Sequence, residues 1–69
     1  MKIEENKYYE DREGNIYHIK SINNIGVFPI YGFCLETLER ECWTRTGRCF
    51  ASIQTKNDLI KEIYVIEIN

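Results

Sequence analysis

The sequence predicts a mainly β protein with minor α content: a small five- to six-stranded antiparallel barrel or curled sheet, SH3-like, with one short C-terminal helix. Two stretches, around Asp11–Asn15 and around Thr46-Gly47, place turn-forming residues between apolar and aromatic runs, which is typical of β-hairpins. A third stretch, Val27–Leu35, is apolar on both faces and carries Pro29 and Gly32, a combination typical of a strand where a sheet curls. The 69 residues are expected to form a single domain, residues 1–69.

The first hairpin is predicted over Tyr8–Ile22, YYEDREGNIYHIKSI. Successive residues of a strand point to opposite faces of its sheet. The second strand of this hairpin therefore has Tyr17 and Ile19 on one face and a more polar set, which includes His18, on the other. We expect the Tyr17 face to be buried and His18 to face solvent or a partner.

The middle of the chain holds one predicted strand and one charged stretch. Asn23–Gly26 is expected to form a turn that leads into Val27–Leu35. Because proline cannot donate a hydrogen bond to a neighbouring strand, we place this run at an edge of the sheet or where the sheet curls into a barrel. Glu36–Glu41 is predicted to be a strand end and a charged loop, although the flanking apolar residues would also suit a helical turn.

The last third of the chain is predicted to add a second hairpin, a short helix and a closing strand. The hairpin strands are Cys42–Arg45 and Arg48–Ile53. Thr55 lies three residues before Asp58, which resembles a capping box, and apolar residues at helical spacing follow, so a short helix is expected there. Tyr64–Ile68 alternates and is rich in β-branched residues, which favours a final strand.

The charge balance and the cysteine count limit the classes of function. Nine basic and eleven acidic residues give a net charge of −2, whereas proteins that bind phosphates usually carry a basic excess, so the charge disfavours nucleic acid as a partner. The sequence shows neither a signal peptide nor a membrane span, and we expect a cytoplasmic protein that does not bind a membrane. Three cysteines, an odd number, fit reduced thiols better than a disulfide framework.

Metal binding and catalysis are not expected. Cys34, Cys42, Cys49 and His18 are of the right type for zinc, but seven and six residues separate the successive cysteines, whereas zinc modules usually bring ligands in close pairs. We expect these thiols to fill the β core. The single histidine has no evident catalytic partner, and no phosphate-binding glycine loop is present. We therefore predict no catalytic residue, no metal and no cofactor.

A binding surface is the remaining candidate site. The predicted partner-binding residues combine large aromatic rings and guanidinium groups, the side chains that dominate many protein interfaces: Trp43, Arg45, Arg48, Tyr31 and Tyr8. The alternative for the only tryptophan is that it anchors the core. An unpaired terminal strand could also support a homodimer.

Four sequence patterns resemble a diffuse group of small phage and prophage proteins. They are K-Y-Y-x-D-R-E-G-N-I-Y, F-P-I-Y-G, C-W-T-R-T-G-R-C-F and T-K-N-D-L-I-K-E-I, which together span about Lys7–Ile63. The resemblance implies a bacteriophage accessory protein in the cytoplasm of the bacterial host, one that binds and blocks a host protein, often a defence component. It transfers no catalytic residue, and Tyr64–Asn69 lies outside it. The three cysteines fall within the span but are not among the residues that the group shares, whose hairpin pattern is W-T-x-x-G-R.

Together these observations favour a non-enzymatic protein that inhibits a host protein, in particular a defence protein, by steric occlusion. The first alternative is an oligomeric sponge that sequesters a small nucleotide signalling molecule in a pocket at a dimer interface, which makes a small-molecule ligand possible. The second alternative is a nucleic-acid-binding β-barrel that stacks bases on Tyr and Trp, which the net charge disfavours.

Overall fold

Five antiparallel strands form one sheet in the computed structural model of the protein, which describes residues 1–50 and 52–64. The strands are β1 (Tyr8–Asp11), β2 (Ile16–Ser21), β3 (Ile30–Cys34), β4 (Arg40–Trp43) and β5 (Leu59–Ile63). Their order in the sheet is β4-β3-β2-β1-β5, so β4 and β5 form its two edges and, within the described residues, the sheet does not close. The prediction of a mainly β, five-stranded antiparallel fold is confirmed.

The first hairpin forms as predicted, and the carboxylate of Asp11 organises its turn. Tyr8 pairs with His18 across β1 and β2. In the turn, Asp11 Oδ1 accepts hydrogen bonds from the backbone N–H groups of Glu13 and Asn15, each at 2.9 Å. Gly14 has φ +87°, a left-handed conformation that glycine adopts without steric cost. The aspartate and the glycine therefore specify this turn locally.

Strand β3 is an interior strand, so of the two places predicted for it, the edge of the sheet is wrong. It pairs with β2 on one side and β4 on the other, and Pro29 lies just before it, where its missing N–H breaks no pairing. The register of β2 against β3 shifts between Ile19 and Ser21, opposite Gly32. The irregularity expected near Gly32 is present, but the extra residue of this β-bulge lies in β2, opposite Gly32. Bulges of this kind typically bend the strand that carries them.

The second predicted hairpin forms its turn but not its second strand. Thr44 N donates to Arg48 O at 2.8 Å and Gly47 has φ +90°. After this turn, however, Cys49 N donates to the Asp58 carboxylate at 3.0 Å, and this N–H therefore forms no ladder bond to a strand. The described residues between Arg48 and Ile53 form bends instead of a strand.

The predicted C-terminal helix is wrong, because its apolar residues form β5. Thr55 and Asp58 do interact as a capping pair, with Thr55 Oγ1 donating to Asp58 Oδ1 at 2.9 Å, but they close a turn. Beyond it, Tyr8 pairs with Ile63 on the open edge of β1, and this tertiary pairing overrides the helical spacing. The predicted closing strand, Tyr64–Ile68, falls outside the described residues except for Tyr64, which is not part of β5.

One face of the sheet carries the hydrophobic core. The buried apolar residues are contributed by the lead-in segment and all five strands: Ile3, Tyr9, Tyr17, Ile19, Ile30, Cys34, Trp43 and Leu59. The Tyr17 and Ile19 face is thus the core face, as predicted. The segment between β4 and β5 contacts this side, since Trp43 Nε1 donates to Asn57 O at 3.0 Å and Leu59 N donates to Gly47 O at 2.8 Å. The described part of the chain holds no helix of the length and apolar character that a membrane crossing needs.

Candidate binding face

The face opposite the core carries a row of aromatic side chains across three strands, which ends at an arginine on a fourth. Tyr8 of β1 pairs with His18 of β2, His18 pairs with Phe33 of β3, and Phe33 pairs with Arg40 of β4. Tyr31 lies two residues before Phe33 and therefore on the same face of β3. We call these five residues the outer face. The four rings are half-buried and Arg40 is exposed.

The side chains of the outer face contact one another in a fixed arrangement. The rings of Tyr8 and His18 stack, with centroids 4.6 Å apart and planes inclined by 20°. Tyr31 meets Phe33 edge to face, with centroids 6.0 Å apart. The guanidinium carbon of Arg40 lies 4.1 Å from the centroid of Tyr31, a cation–π contact. The outer face is thus largely ordered before any partner binds.

The polar atoms of the outer face differ from those of the core aromatics in their hydrogen bonding. In the core, the hydroxyls of Tyr9 and Tyr17 and the indole N–H of Trp43 all have partners. Among the residues that the structure describes, no hydrogen bond joins the side chains of the outer face to another residue. Half-buried rings with free polar tips are typical of protein interfaces.

The structure divides the five predicted partner-binding residues among three places. Tyr8 and Tyr31 lie on the outer face. Trp43 is 0% exposed and contacts Tyr17 edge to face with centroids 4.9 Å apart, so the tryptophan anchors the core and cannot touch a partner in this conformation. Arg45, which is exposed, and Arg48, which is half-buried, lie at the turn after β4. Their role in binding stays a prediction.

Three residues of the outer face were not among the predicted site residues. The predicted orientation of His18 away from the core is confirmed. The alternation in β2 is therefore the one sequence pattern that points to a residue of the outer face beyond the predicted site. Phe33 and Arg40 join it only through the register of β3 and β4, which pairs them directly. That register depends on the turn at Leu35–Thr37 and on Leu38, which has φ +63°.

A second feature is an open groove of about 570 Å³ beside the core. It is lined by polar residues and one thiol: Asn15, Tyr17, Cys34, Thr37, Glu39, Arg40, Glu41 and Asn57. The backbone N–H of Thr37 lowers the pKa of the Cys34 thiol, although burial acts in the opposite direction, and the Thr37 hydroxyl adds to the lowering. Burial instead raises the pKa of the Cys49 thiol to about 11.

The groove does not bring together the parts of a nucleophilic or metal site. Cys34 pairs with Tyr17 on the core side of the sheet, whereas His18 lies on the outer face, so the histidine cannot serve the thiol as a base. Within residues 1–50 and 52–64, no three His, Cys, Asp or Glu side chains are grouped so that they could hold a metal ion.

Two buried carboxylates stabilise the turns next to the groove. Asp11 is fully buried and also accepts a hydrogen bond from the hydroxyl of Tyr17 at 3.0 Å. Burial alone would raise the pKa of Asp11, but the hydrogen bonds from Asn15, Glu13 and Tyr17 outweigh it and hold the pKa below its usual value. Asp58 accepts three hydrogen bonds, from Cys49 N and from the backbone and hydroxyl of Thr55, and its pKa is likewise lowered despite burial.

These two carboxylates predict a loss of stability in acid. Because their folded-state pKa values lie below those of the unfolded chain, the unfolded chain takes up protons first as the pH falls. The stability that the carboxylates contribute is therefore complete above about pH 5 and is lost as the pH falls through the folded pKa values. Urea unfolding between neutral and acidic pH measures this dependence.

The stability of the Asp11→Asn variant shows how much of this acid dependence comes from Asp11. Asp11→Asn should lose about 1–3 kcal/mol at neutral pH, because an amide cannot accept all the bonds, and its stability should fall less with acid than that of the wild type. Glu13→Gln is the matched control at an exposed position in the same turn. An Asp11→Asn protein with the wild-type pH dependence would contradict this assignment.

Exposed apolar residues also occur outside the sheet. In the loop between β2 and β3, Ile25 is 102% exposed and Val27 is 65% exposed. Asn24 closes this loop, because its backbone N–H and its side-chain amide both donate to Pro29 O, at 3.1 and 3.0 Å. The loop therefore holds its apolar tip in the solvent.

No protein-family model, curated protein or solved structure matches the chain.

Proposed function

We propose that the protein is a non-enzymatic binding module that docks on another protein through its outer face and blocks a functional surface of that protein by steric occlusion. The observation that carries this proposal is the contrast between the two sets of aromatic residues. Core aromatics have satisfied polar groups, whereas the half-buried rings of Tyr8, His18 and Tyr31 have polar tips that form no hydrogen bond within residues 1–50 and 52–64. Such side chains gain both apolar contact and hydrogen bonds when a partner covers them.

The proposed partner is a protein of a bacterial host, in particular a defence protein. The support for this context is the resemblance of the chain to small phage and prophage proteins. A preformed face suits a blocking mechanism, because a binder that is already ordered loses little conformational entropy on docking. In this proposal the protein acts in the cytoplasm of the host cell and needs no cofactor.

We also propose an SH3-like arrangement for the sheet. The support is the bulge opposite Gly32, which increases the bend of the sheet, and the hydrogen bond from Leu59 N to Gly47 O, 2.8 Å. That bond joins the start of edge strand β5 to the turn that follows β4, the other edge strand. Hydrogen bonds of this kind bring the two edge strands of a curled sheet toward each other, as an SH3-like arrangement requires.

A single-stranded nucleic acid is the second candidate partner, and the outer face favours it to a limited degree. Stacked rings beside an arginine are the elements with which proteins hold unpaired bases. The net charge of −2 weighs against it, because a phosphate backbone would approach a surface with an excess of carboxylates. We therefore place a protein partner first.

Replacing two rings of the outer face tests the proposal. Tyr8→Thr with Phe33→Thr should lower recovery of the partner from bacterial lysate at least about tenfold, since two aromatic contacts at the centre of an interface are lost. Threonine suits a strand, so circular dichroism and the melting temperature should stay close to wild type. The measurement is affinity capture of tagged proteins with a high-salt wash, followed by mass spectrometry.

The matched control removes two exposed apolar side chains that lie outside the sheet. Phe50→Thr with Ile53→Thr should leave recovery unchanged, because both residues are 57% exposed in the segment between β4 and β5. If the double variant of the outer face is less stable than wild type, Phe33→Thr alone replaces it. Equal recovery by a folded outer-face variant and the wild type would contradict the proposal.

A further inference from the structure

One cation of the outer face has no carboxylate partner. Lys7, Arg12, Lys56 and Lys61 each lie within 4.0 Å of an Asp or Glu oxygen. Within the described residues, no carboxylate lies that close to the guanidinium of Arg40, which is exposed. An arginine has five N–H donors, so Arg40 has unused hydrogen-bonding capacity at the surface.

The position of Arg40 leaves these donors accessible. Its guanidinium lies over the ring of Tyr31 at 4.1 Å, and β4 is an edge strand. A guanidinium that contacts an aromatic ring through its face keeps the N–H groups around its edge, where they can bind a carboxylate through two parallel hydrogen bonds. The ring contact also limits the conformations of the arginine, so less entropy is lost on binding.

The residues around Arg40 determine which side chains a partner would place beside a carboxylate bound by Arg40. Arg40 pairs with Phe33, which meets Tyr31 edge to face, and His18 and Tyr8 continue the row. Further along, the charged pair of Lys61 and Glu10, with 3.7 Å between Nζ and Oε1, is already neutralised. Lys20, which is exposed and lies two residues after His18 in β2, also has no carboxylate within 4.0 Å among the described residues. Arg40 is therefore the free guanidinium at one end of the aromatic surface, and Lys20 is a second free cation, close to His18 in the chain.

We infer that the outer face recognises a protein segment that carries an Asp or Glu side chain beside apolar residues, with the carboxylate bound by Arg40 and the apolar side chains lying over Phe33 and Tyr31. This inference rests on the proposed function and adds the chemistry of the partner. A single carboxylate matches a single free guanidinium. A nucleic acid would instead bring a phosphate for every nucleotide to a protein whose net charge is −2.

Selection from a displayed library of random short linear peptides tests the inference. Peptides that bind the wild-type protein should be enriched in Asp or Glu next to aliphatic or aromatic residues. A synthetic peptide from that pool should bind Arg40→Ala about tenfold or more weakly, and Arg40→Lys should give an intermediate loss because lysine keeps the charge without the planar donor pair. Lys56→Ala, at an exposed cation remote from the outer face, is the control and should bind like the wild type.

A double-mutant cycle identifies the contact itself. Replacing the peptide Asp by Asn, or Glu by Gln, should weaken binding to the wild type but have little further effect on Arg40→Ala, since both changes remove one interaction. Peptides that lose binding on Phe33→Thr yet show no coupling to Arg40 would overturn the carboxylate inference and leave the proposed docking face intact. Failure to enrich any peptide would overturn the inference of a linear carboxylate-bearing segment, whereas the docking face itself is tested by the capture of tagged outer-face variants.

Two further measurements decide between Arg40 and the competing alternatives. Arg45 is the exposed arginine of the predicted hairpin surface, and stronger loss of peptide binding in Arg45→Ala than in Arg40→Ala would overturn the inference. Fluorescence anisotropy with a labelled single-stranded deoxythymidine oligomer tests the phosphate alternative. We expect no binding at moderate salt, whereas oligomer binding that disappears in Arg40→Ala would assign the guanidinium to phosphate.

Discussion

Trp43→Ala is expected to unfold the protein at physiological temperature. The indole is fully buried, contacts Tyr17 edge to face, and donates a hydrogen bond to Asn57 O at 3.0 Å. Removing a buried tryptophan costs about 3–5 kcal/mol. A domain of this size has a total stability of about 3–5 kcal/mol, so the substitution removes most or all of it. Circular dichroism and urea unfolding measure the loss.

Two variants separate the core role of Trp43 from a surface role. Trp43→Phe keeps a ring but loses the hydrogen bond, so a smaller loss of stability is expected. Arg45→Ala changes an exposed residue two positions later, and its stability should differ from wild type by no more than about 0.5 kcal/mol. A Trp43→Ala protein that stayed folded and lost only partner binding would instead place the indole at the interface.

Gly32→Ala is expected to destabilise the fold by about 3 kcal/mol, at the upper end of the range for overpacking. A Cβ atom at this position would overlap the backbone carbonyl of His18 and lie 3.0 Å from Ile19 Cα. Backbone atoms in the middle of a sheet cannot move aside as a flexible side chain can. The substitution should therefore separate β2 from β3 at the bulge, and urea unfolding followed by circular dichroism measures the effect.

Gly26→Ala distinguishes this overlap from the general cost of replacing a glycine. Gly26 has φ +115° and nothing within 4 Å of an added Cβ, so only the backbone conformation opposes the substitution. We expect a loss of about 1–2 kcal/mol there. A Gly32→Ala protein no less stable than Gly26→Ala would show that β2 and β3 can move apart without cost.

The strands that could be predicted from the sequence are those whose patterns are local. In β2, alternation placed Tyr17 and Ile19 in the core and His18 outside, and the Asp11–Asn15 turn carries its own hydrogen bonds. The pairing of β5 with β1 could not be predicted in this way. Leu59–Ile63 follows a capping pair at helical spacing, and only the open edge of β1, far away in the chain, makes it a strand.

Only part of the candidate site can be predicted from the sequence, because the rest depends on how the strands pair. Tyr8 and Tyr31 were selected by residue type, and both lie on the outer face. Trp43 was selected by the same criterion but lies in the core, because residue type does not tell which face of an edge strand is covered. Arg40 could not be found, since its position over Tyr31 depends on the register between β3 and β4.

The strand order has a consequence for the time during which the protein is being synthesised. Strand β1 lies between β2 and β5. One edge of β1 can pair with β2 early, whereas the other edge stays unpaired until Leu59–Ile63 has been made. Contacts between residues far apart in the chain form slowly, because a long loop must close first. A nascent chain therefore carries a bare strand edge beside the aromatic residues of β1 until Leu59–Ile63 has been synthesised, and this edge is where misassembly with another chain would begin.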